Sequence, residues 1–315
     1  MILFFLILSA DVQFDSLIKQ GIHYSYSEKY GEAESSFRKA IEIKPEDPAP
    51  YLFLTFLYGL YMADFSTDSI EEKFFAYSDT TVLRSEQKIS VGDSSALVRL
   101  WLAGGYGARA FHEVQHKNIF PGIHDGVKSI KEFHKAIEID SSLFDAYIGV
   151  AGYNYFKHRL FSYIPWAEDS QWENEIKLAC DKGKYFKLAA IACYSALLTE
   201  ERRFAEASEV ITQLVSEFPD TRTFRWIRVK SYCGMKKWDL AKDEYEKLLE
   251  LTLTGQPENF YNIGYCRLGL ANVYLESQFI GKCKAQCEEI INLPDNPKTQ
   301  KVKEEARKIL DKLLH

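Results

Sequence analysis

Apolar residues recur every three to four positions along most of this chain, as they do on one face of an α-helix. The clearest instance is the segment GEAESSFRKAIEIKP, between Gly31 and Pro45. There Ala33, Phe37 and Ala40 are spaced i, i+4 and i+7, and Pro45 follows where a helix would stop. This pattern predicts an amphipathic helix that buries one narrow face.

The same three-position pattern returns further along the chain. It is found at Ala207, Ile211 and Leu214, at Ala241, Tyr245 and Leu248, and at Cys283, Cys287 and Ile290. The step from Ala207 to Ala241 is 34 residues, and each segment is preceded by a second amphipathic stretch. A fixed period of this length indicates helix pairs that stack on one another.

This period, with small residues on facing helices, resembles that of tetratricopeptide (TPR) repeats. The resemblance is specific for residues 12–46 and 185–292 and weaker for residues 47–184. It implies an all-α fold, a TPR-like superhelical solenoid of antiparallel helix pairs with about fourteen or fifteen helices. Small residues would let two backbones approach, and the large residue one turn further would fill the gap between adjacent pairs.

The order of the chain predicts five segments. We expect a signal peptide at 1–10, a first TPR unit at 11–46, divergent and lengthened TPR-like hairpins at 47–184, three TPR units at 185–295 and a capping helix at 296–315. The last segment is polar, as the end of a repeat array must be for the protein to remain soluble. Within the divergent part, Pro121 and Gly122 predict a loop over residues 117–125.

The first eight residues, MILFFLIL, are all apolar and are followed by Ser9 and Ala10. Such a run is too short to span a bilayer and is typical of a signal-peptide core with cleavage after Ala10. No basic residue precedes the run, and the alternative interpretation is a buried capping segment. We expect export to a periplasm or cell envelope without membrane insertion of the mature chain, and a cytoplasmic protein if the leader is not a signal.

Composition limits the classes of partner. The chain is 46% hydrophobic and 27% charged, which is typical of a folded globular protein. Its net charge is −6, and no basic stripe is present. Because phosphate-rich ligands need concentrated positive charge, neither nucleic acid nor an anionic membrane surface is an expected partner.

One motif points to metal chemistry. His112, Glu113 and His116 form H-E-x-x-H, which on a helix places two imidazoles on one face to hold zinc, with the glutamate as general base. The alternative function is therefore a zinc-dependent hydrolase centred on residues 112–116. Three residues nearby in sequence would be candidates for the missing third ligand: His124, Glu132 and His134.

The surroundings of this motif argue against catalysis. The third histidine of the extended zinc-peptidase motif is replaced by Gly122, and the charged Lys117 directly follows His116. The flanking pattern is that of a repeat array and not that of an α/β catalytic domain. We therefore expect no enzyme activity, no catalytic residue, no resident metal and no cofactor.

A binding groove is the expectation that the TPR resemblance adds. In TPR arrays the first helices of the pairs line a concave face, and the matching positions here include Tyr153, Trp226, Lys230 and Asn272. The mixture of aromatic, apolar and polar groups suits a peptide or helix anchored by apolar side chains. The alternative interpretation is that Tyr153 and Trp226 pack between repeats.

Cys283 and Cys287 occupy the core positions that match Ala33 and Phe37. Side chains four residues apart on a helix are about 5–6 Å apart at Cβ, farther than the roughly 3.5–4.5 Å of a disulfide. We therefore expect these two cysteines to be small buried apolar residues, with a bond from Cys266 or Cys233 to a neighbouring helix left open. Taken together, the sequence predicts a non-catalytic TPR protein for protein–protein interaction or assembly scaffolding.

Overall fold

The computed structural model describes residues 2–161, 171–255 and 258–314, with side chains described from residue 10 onward except at 160 and 161. In this part of the chain the fold is all-α, as predicted, with fifteen α-helices and no strand. The helices are α1 (Ile2–Tyr26), α2 (Tyr30–Ile43), α3 (Ala49–Phe65), α4 (Glu71–Ser90), α5 (Ala96–Gln115), α6 (Ile119–Ile139), α7 (Tyr147–Phe161), α8 (Trp172–Lys182), α9 (Lys187–Glu200), α10 (Phe204–Glu217), α11 (Arg222–Gly234), α12 (Trp238–Thr254), α13 (Phe260–Glu276), α14 (Ile280–Ile291) and α15 (Pro297–Lys312).

The chain divides into two compact units. The first comprises Met1–Met62 and Asp68–Ile191, and the second comprises Ala63–Thr67 and Ala192–His315. In both units consecutive helices pack side by side, as α1 does with α2 and α11 with α12. No helix in the described part of the chain has the length and apolar character needed to cross a membrane.

Five helix pairs are joined by the same tight turn. One residue of each turn has a positive φ between 56° and 65°, and none of the five is glycine: Glu28, Lys117, Arg202, Lys236 and Gln278. In each turn the residue directly after the positive-φ position donates its backbone N–H to the carbonyl oxygen of the residue five positions before it, at 2.8 to 3.0 Å. This is the Schellman arrangement, which satisfies carbonyls at the end of the first helix and reverses the chain within three residues.

The repeat pattern predicted from sequence is confirmed in the packing. Ala33, Phe37 and Ala40 are fully buried in the first unit, and the corresponding residues of α10 and α14, Cys283 and Cys287 included, are buried in the second. A Cβ on Gly21 would lie 2.3 Å from the Phe37 ring, so α1 needs a glycine there to admit the aromatic side chain. On its other side Phe37 stacks on Phe53 of α3, with ring centroids 5.6 Å apart.

All six cysteines are free thiols. The absence of a bond between Cys283 and Cys287 agrees with their spacing on α14, and the bond left open for Cys266 or Cys233 is not formed. Both Cys283 and Cys287 are instead part of the apolar core between α13, α14 and α15.

The predicted loop over residues 117–125 is wrong, because α6 already begins at Ile119. Pro121 is the third residue of this helix, where its missing N–H is one of the donors that a helix start leaves unpaired anyway. Gly122 lies five residues after Lys117, just as Ala33 lies five residues after Glu28. It therefore occupies the close-packing position, and a Cβ there would lie 2.6 Å from a Val114 methyl group and 3.2 Å from the Ala110 carbonyl oxygen.

The first and last helices of the described part are α1 and α15. α1 runs without interruption past Ala10, the predicted cleavage position, while the side chains of residues 1–9 lie outside the described part. At the other end, the Asn296 side chain accepts hydrogen bonds from the N–H groups of Lys298 and Thr299, at 2.9 and 3.0 Å, and so caps α15. Thr299, Val302 and Ala306 of this largely polar helix are fully buried.

Candidate functional site

The pair formed by α5 and α6 is longer than the other tight pairs. These helices have 20 and 21 residues, whereas α2 and α10 have 14 each. The first half of α6 departs from the usual polarity of a packed helix. Its buried positions are polar or small, namely Gly122, Asp125, Ser129 and Glu132, and its exposed positions include four large apolar residues, namely Ile119, Phe120, Ile123 and Val127.

Polar contacts hold the inward face of α6. Asp125 accepts a hydrogen bond from Arg109 at 2.7 Å, and the same guanidinium reaches Asp79 at 2.6 Å. The Ser129 hydroxyl donates to the Ala103 carbonyl oxygen at 2.8 Å. Because each buried polar group has a partner, this helix is anchored without using the apolar residues of its outer face.

Glu132 continues this inward row one turn further along α6. It accepts hydrogen bonds from Arg99 at 2.8 Å and Lys135 at 2.7 Å. Burial by itself would raise the pKa of Glu132, but the hydrogen bonds and positive charges of Lys135 and Arg99 hold that pKa below its usual value. The carboxylate therefore stays ionised and paired at neutral pH.

The outer face of α6 joins two exposed apolar residues of α5, Phe111 and Val114. We call the resulting patch the tip surface, and it consists of Phe111, Val114, Ile119, Phe120, Ile123 and Val127. Phe120 is 88% exposed and Phe111 63% exposed. Single exposed apolar residues are ordinary, but six on one hairpin end form the kind of patch that marks an interaction site.

Basic groups surround the tip surface. Lys117, Lys128 and Lys131 are exposed, and so is His124. The single acidic residue between positions 116 and 131 is Asp125, which is buried against Arg109. The half-buried Glu113 lies between Phe111 and Val114 on α5, so the basic groups border the tip surface on its α6 side.

The two histidines of the H-E-x-x-H motif lie at the end of α5, beside the start of α4. His112 is buried between Phe74 and Phe75, with ring centroids 4.9 and 5.2 Å away, and its Nε2 lies 2.7 Å from Glu71 Oε1. The His116 ring stacks on His112 at 4.1 Å. Ligand atoms of Glu71, His112 and His116 all lie within 4.8 Å of one another.

Hydrogen bonds fix the orientation of His116. Its Nδ1 donates to the His112 carbonyl oxygen at 2.9 Å, and its Nε2 lies 3.3 Å from Asp68 Oδ1. The bond to the carbonyl and the nearby Asp68 carboxylate raise the pKa of His116 above its ordinary value. In this arrangement the second ring nitrogen points toward the acidic start of α4.

The third member of this cluster differs from the residues that the sequence suggested. Glu71 joins the two histidines, and Glu113, the general base of the motif, is not among the three. Of the other candidates, Glu132 is paired with Arg99 and Lys135, His124 contacts Asp125, and His134 is exposed. Glu71 lies 41 residues before His112, so no local spacing could have indicated it.

The predicted groove residues are found in both units. Tyr153 lies in the first unit and is exposed, whereas Trp226, Lys230 and Asn272 lie in the second. Lys230 and Asn272 are exposed, while Trp226 is half-buried and packs edge-on against Tyr245, with ring centroids 6.0 Å apart. A groove role for these four residues stays a prediction.

No protein-family model and no curated protein matches this chain. Among solved structures, it is similar to the C-terminal part of a TPR repeat-containing protein from Cytophaga hutchinsonii, at 15% identity and a TM-score of 0.49, over 90% of this chain and 98% of that one. It is also similar to a tetratricopeptide repeat protein from Parabacteroides merdae, at 14% identity and a TM-score of 0.39, over 96% and 99% of the two chains. A third similar structure is PilF of Pseudomonas aeruginosa, at 10% identity and a TM-score of 0.37, over 94% and 99%.

Proposed function

We propose that this protein is a non-catalytic helical-repeat protein that binds other proteins, and that the tip surface is a binding site. The observation behind this proposal is the polarity of the first half of α6, where Ile119, Phe120, Ile123 and Val127 are exposed while Asp125 and Ser129 are buried and paired. Keeping Phe120 and Ile123 in water costs free energy that a partner's apolar surface would recover.

The partner that fits this surface is an amphipathic helix whose apolar face is bordered by acidic residues. The six apolar side chains of the tip surface offer contacts for residues at i, i+3, i+4 and i+7 of such a helix. The bordering lysines, Lys117, Lys128 and Lys131, would pair with its carboxylates and orient it. Aromatic residues at the centre of an interface commonly supply most of its affinity, which makes Phe120 the expected anchor.

The zinc hydrolase alternative has less support. It requires the Glu113 carboxylate beside the two imidazoles as general base. The carboxylate that lies there belongs to Glu71 of α4, and it is hydrogen-bonded to His112.

Two finer expectations belong to the same proposal. Tyr153 in the first unit, and separately Trp226, Lys230 and Asn272 in the second unit, are proposed as further peptide contacts. Export to a periplasm or cell envelope is proposed from the apolar run before Ala10. Cleavage after Ala10 would retain Asp11, which pairs with Lys44 at 2.6 Å, and the buried Phe14; the N-terminal mass of protein recovered from the source cells tests this.

Site-specific photo-cross-linking tests the proposed binding site. A photoreactive phenylalanine analogue at position 120 should cross-link one defined protein partner in extracts of the source cells. The same analogue at Val91, an exposed apolar residue of the first unit outside the tip surface, provides the matched control. A partner captured equally from both positions would contradict the proposal.

Two other outcomes would also contradict the proposed occupant. A cross-link between two copies of this chain would identify the tip surface as a self-association interface. Binding to phosphatidylglycerol vesicles that is lost on replacing Phe120 and Ile123 by serine would identify a membrane surface instead.

A further inference from the structure

Glu71, His112 and His116 form a cluster that the proposed protein binding does not use. The two histidines are four residues apart on α5 and so share one helix face, while Glu71 approaches from the first turn of α4. The cluster therefore joins the start of one helix to the end of the next, directly before the Lys117 turn.

Two imidazoles and one carboxylate are a ligand set typical of zinc and other divalent transition metals. Bonds of about 2.0–2.2 Å to a tetrahedral ion place neighbouring ligand atoms roughly 3.2–3.5 Å apart. The three ligand atoms here lie within 4.8 Å of one another. Small side-chain rotations would complete the geometry, because Glu71 and His116 are partly exposed at 41% and 38% of their side chains.

One ligand is fixed while the other two can adjust. His112 is buried between Phe74 and Phe75, which restrict its ring, and its Nε2 already faces the Glu71 carboxylate at 2.7 Å. A buried, preoriented imidazole reduces the entropy lost when a metal binds.

The hydrogen bond made by Nδ1 of His116 has the form found in metal sites. Metal-bound histidines donate their other ring N–H to a carbonyl or carboxylate, which fixes the tautomer. The His116 Nδ1 makes this bond to the His112 carbonyl oxygen at 2.9 Å, leaving Nε2 as the ligand atom. Asp68 Oδ1 lies 3.3 Å from Nε2 but does not belong to the group of three ligand atoms that lie within 4.8 Å of one another.

We propose that Glu71, His112 and His116 bind a divalent transition-metal ion, with Zn²⁺ as the expected ion and water in the fourth position. The ion would connect the first turn of α4 to the last turn of α5. Binding would stabilise the folded form, because folding alone brings these three ligands together. This proposal is independent of the partner proposed for the tip surface.

Zn²⁺ titration of the purified full chain tests the site. By isothermal calorimetry after chelator treatment, we expect one Zn²⁺ per chain, and a Zn²⁺-dependent rise in Tm. Glu71→Gln and His116→Ala should each weaken Zn²⁺ binding at least 10-fold and reduce the Tm rise. Both residues are partly exposed, so the variants should fold, which circular dichroism verifies.

Matched controls come from the same part of the chain. Glu72→Gln changes an exposed carboxylate next to Glu71, and His134→Ala changes an exposed histidine of α6; both should bind Zn²⁺ like the wild type. Mg²⁺ should produce no Tm rise, because it prefers oxygen ligands. The proposal is overturned if the wild type binds no Zn²⁺ at micromolar concentration, or if all four variants bind it equally.

Discussion

Asp64 shows how a single buried charge is stabilised in the second unit. Arg222 donates to its carboxylate at 2.5 Å, and Asn262 donates to the same group at 3.2 Å. The Asp64 carbonyl oxygen accepts from the side chains of Asn259 and Asn262 at 2.7 and 2.6 Å. A buried ion pair adds modest net stability, but removing one partner leaves the other charge without compensation.

Replacing Asp64 by alanine should therefore destabilise the second unit by about 3–5 kcal/mol, because Arg222 stays buried. Asp243, an exposed residue paired with Lys242, is the matched control, and its replacement by alanine should cost about 0–1 kcal/mol. Urea unfolding of both variants measures the difference. Equal losses in the free energy of unfolding would contradict a stabilising role for the buried Asp64 contacts.

The cysteines give a second prediction at this scale. Burial raises the pKa of Cys266 and of Cys287 to about 12 and that of Cys193 to about 11. Since the thiolate is the reactive form, almost none is present on these residues at pH 8. Iodoacetamide at pH 8 should leave them unmodified in the folded protein and should alkylate all six cysteines in urea, as measured by intact mass. Rapid alkylation of Cys287 without denaturant would contradict this packing.

Between elements, the shared turn is the recurring feature of the fold. Each of its five positive-φ positions is occupied by a residue other than glycine, although this conformation costs a residue with a Cβ about 1–2 kcal/mol. The flanking helices nevertheless enforce the same three-residue reversal in both units. The turn geometry is therefore imposed by helix packing and not by local preference.

Glycine at one of these positions should stabilise the protein. Lys236 has φ of 56°, so Lys236→Gly relieves strain and should raise the free energy of unfolding by about 0.5–1 kcal/mol, after the greater entropy of glycine in the unfolded chain is counted. Lys242 lies in the interior of α12, so Lys242→Gly should destabilise the protein by about 0.5–1 kcal/mol instead. Thermal unfolding of the two variants compares them, and the same sign for both would contradict the account of the turn.

Features that depend on residues close in sequence can be predicted for this chain, whereas features that depend on contacts between distant residues cannot. The buried face of Ala33, Phe37 and Ala40 follows directly from helical spacing. The α5–α6 turn is tighter than the predicted loop over residues 117–125, because Lys117 gives no sequence signal for a positive φ and because Pro121 is tolerated in the first turn of α6. Glu71 could not be assigned to the histidine cluster, since only folding places α4 beside the end of α5.

For the whole molecule, the structure confirms an all-α chain of antiparallel helix pairs in its described part and divides it into two units. The architecture alone does not specify a function, because the same kind of helical array serves unrelated partners. The distinctive feature of this chain is the lengthened α5–α6 hairpin of the first unit, which provides an outward apolar face and the two histidines that meet Glu71 of α4. The proposed roles of the molecule follow from that hairpin.

The affinity of the partner cross-linked at position 120 tests the central claim most directly. Isothermal calorimetry would compare wild type, the double variant Phe120→Ser and Ile123→Ser, and the control double variant Leu83→Ser and Val91→Ser, which changes equally exposed apolar residues outside the tip surface. We expect at least a 10-fold weaker affinity for the first double variant and wild-type affinity for the second, with unchanged helical content in both. Equal affinities for all three proteins would contradict the assignment of the tip surface as the binding site.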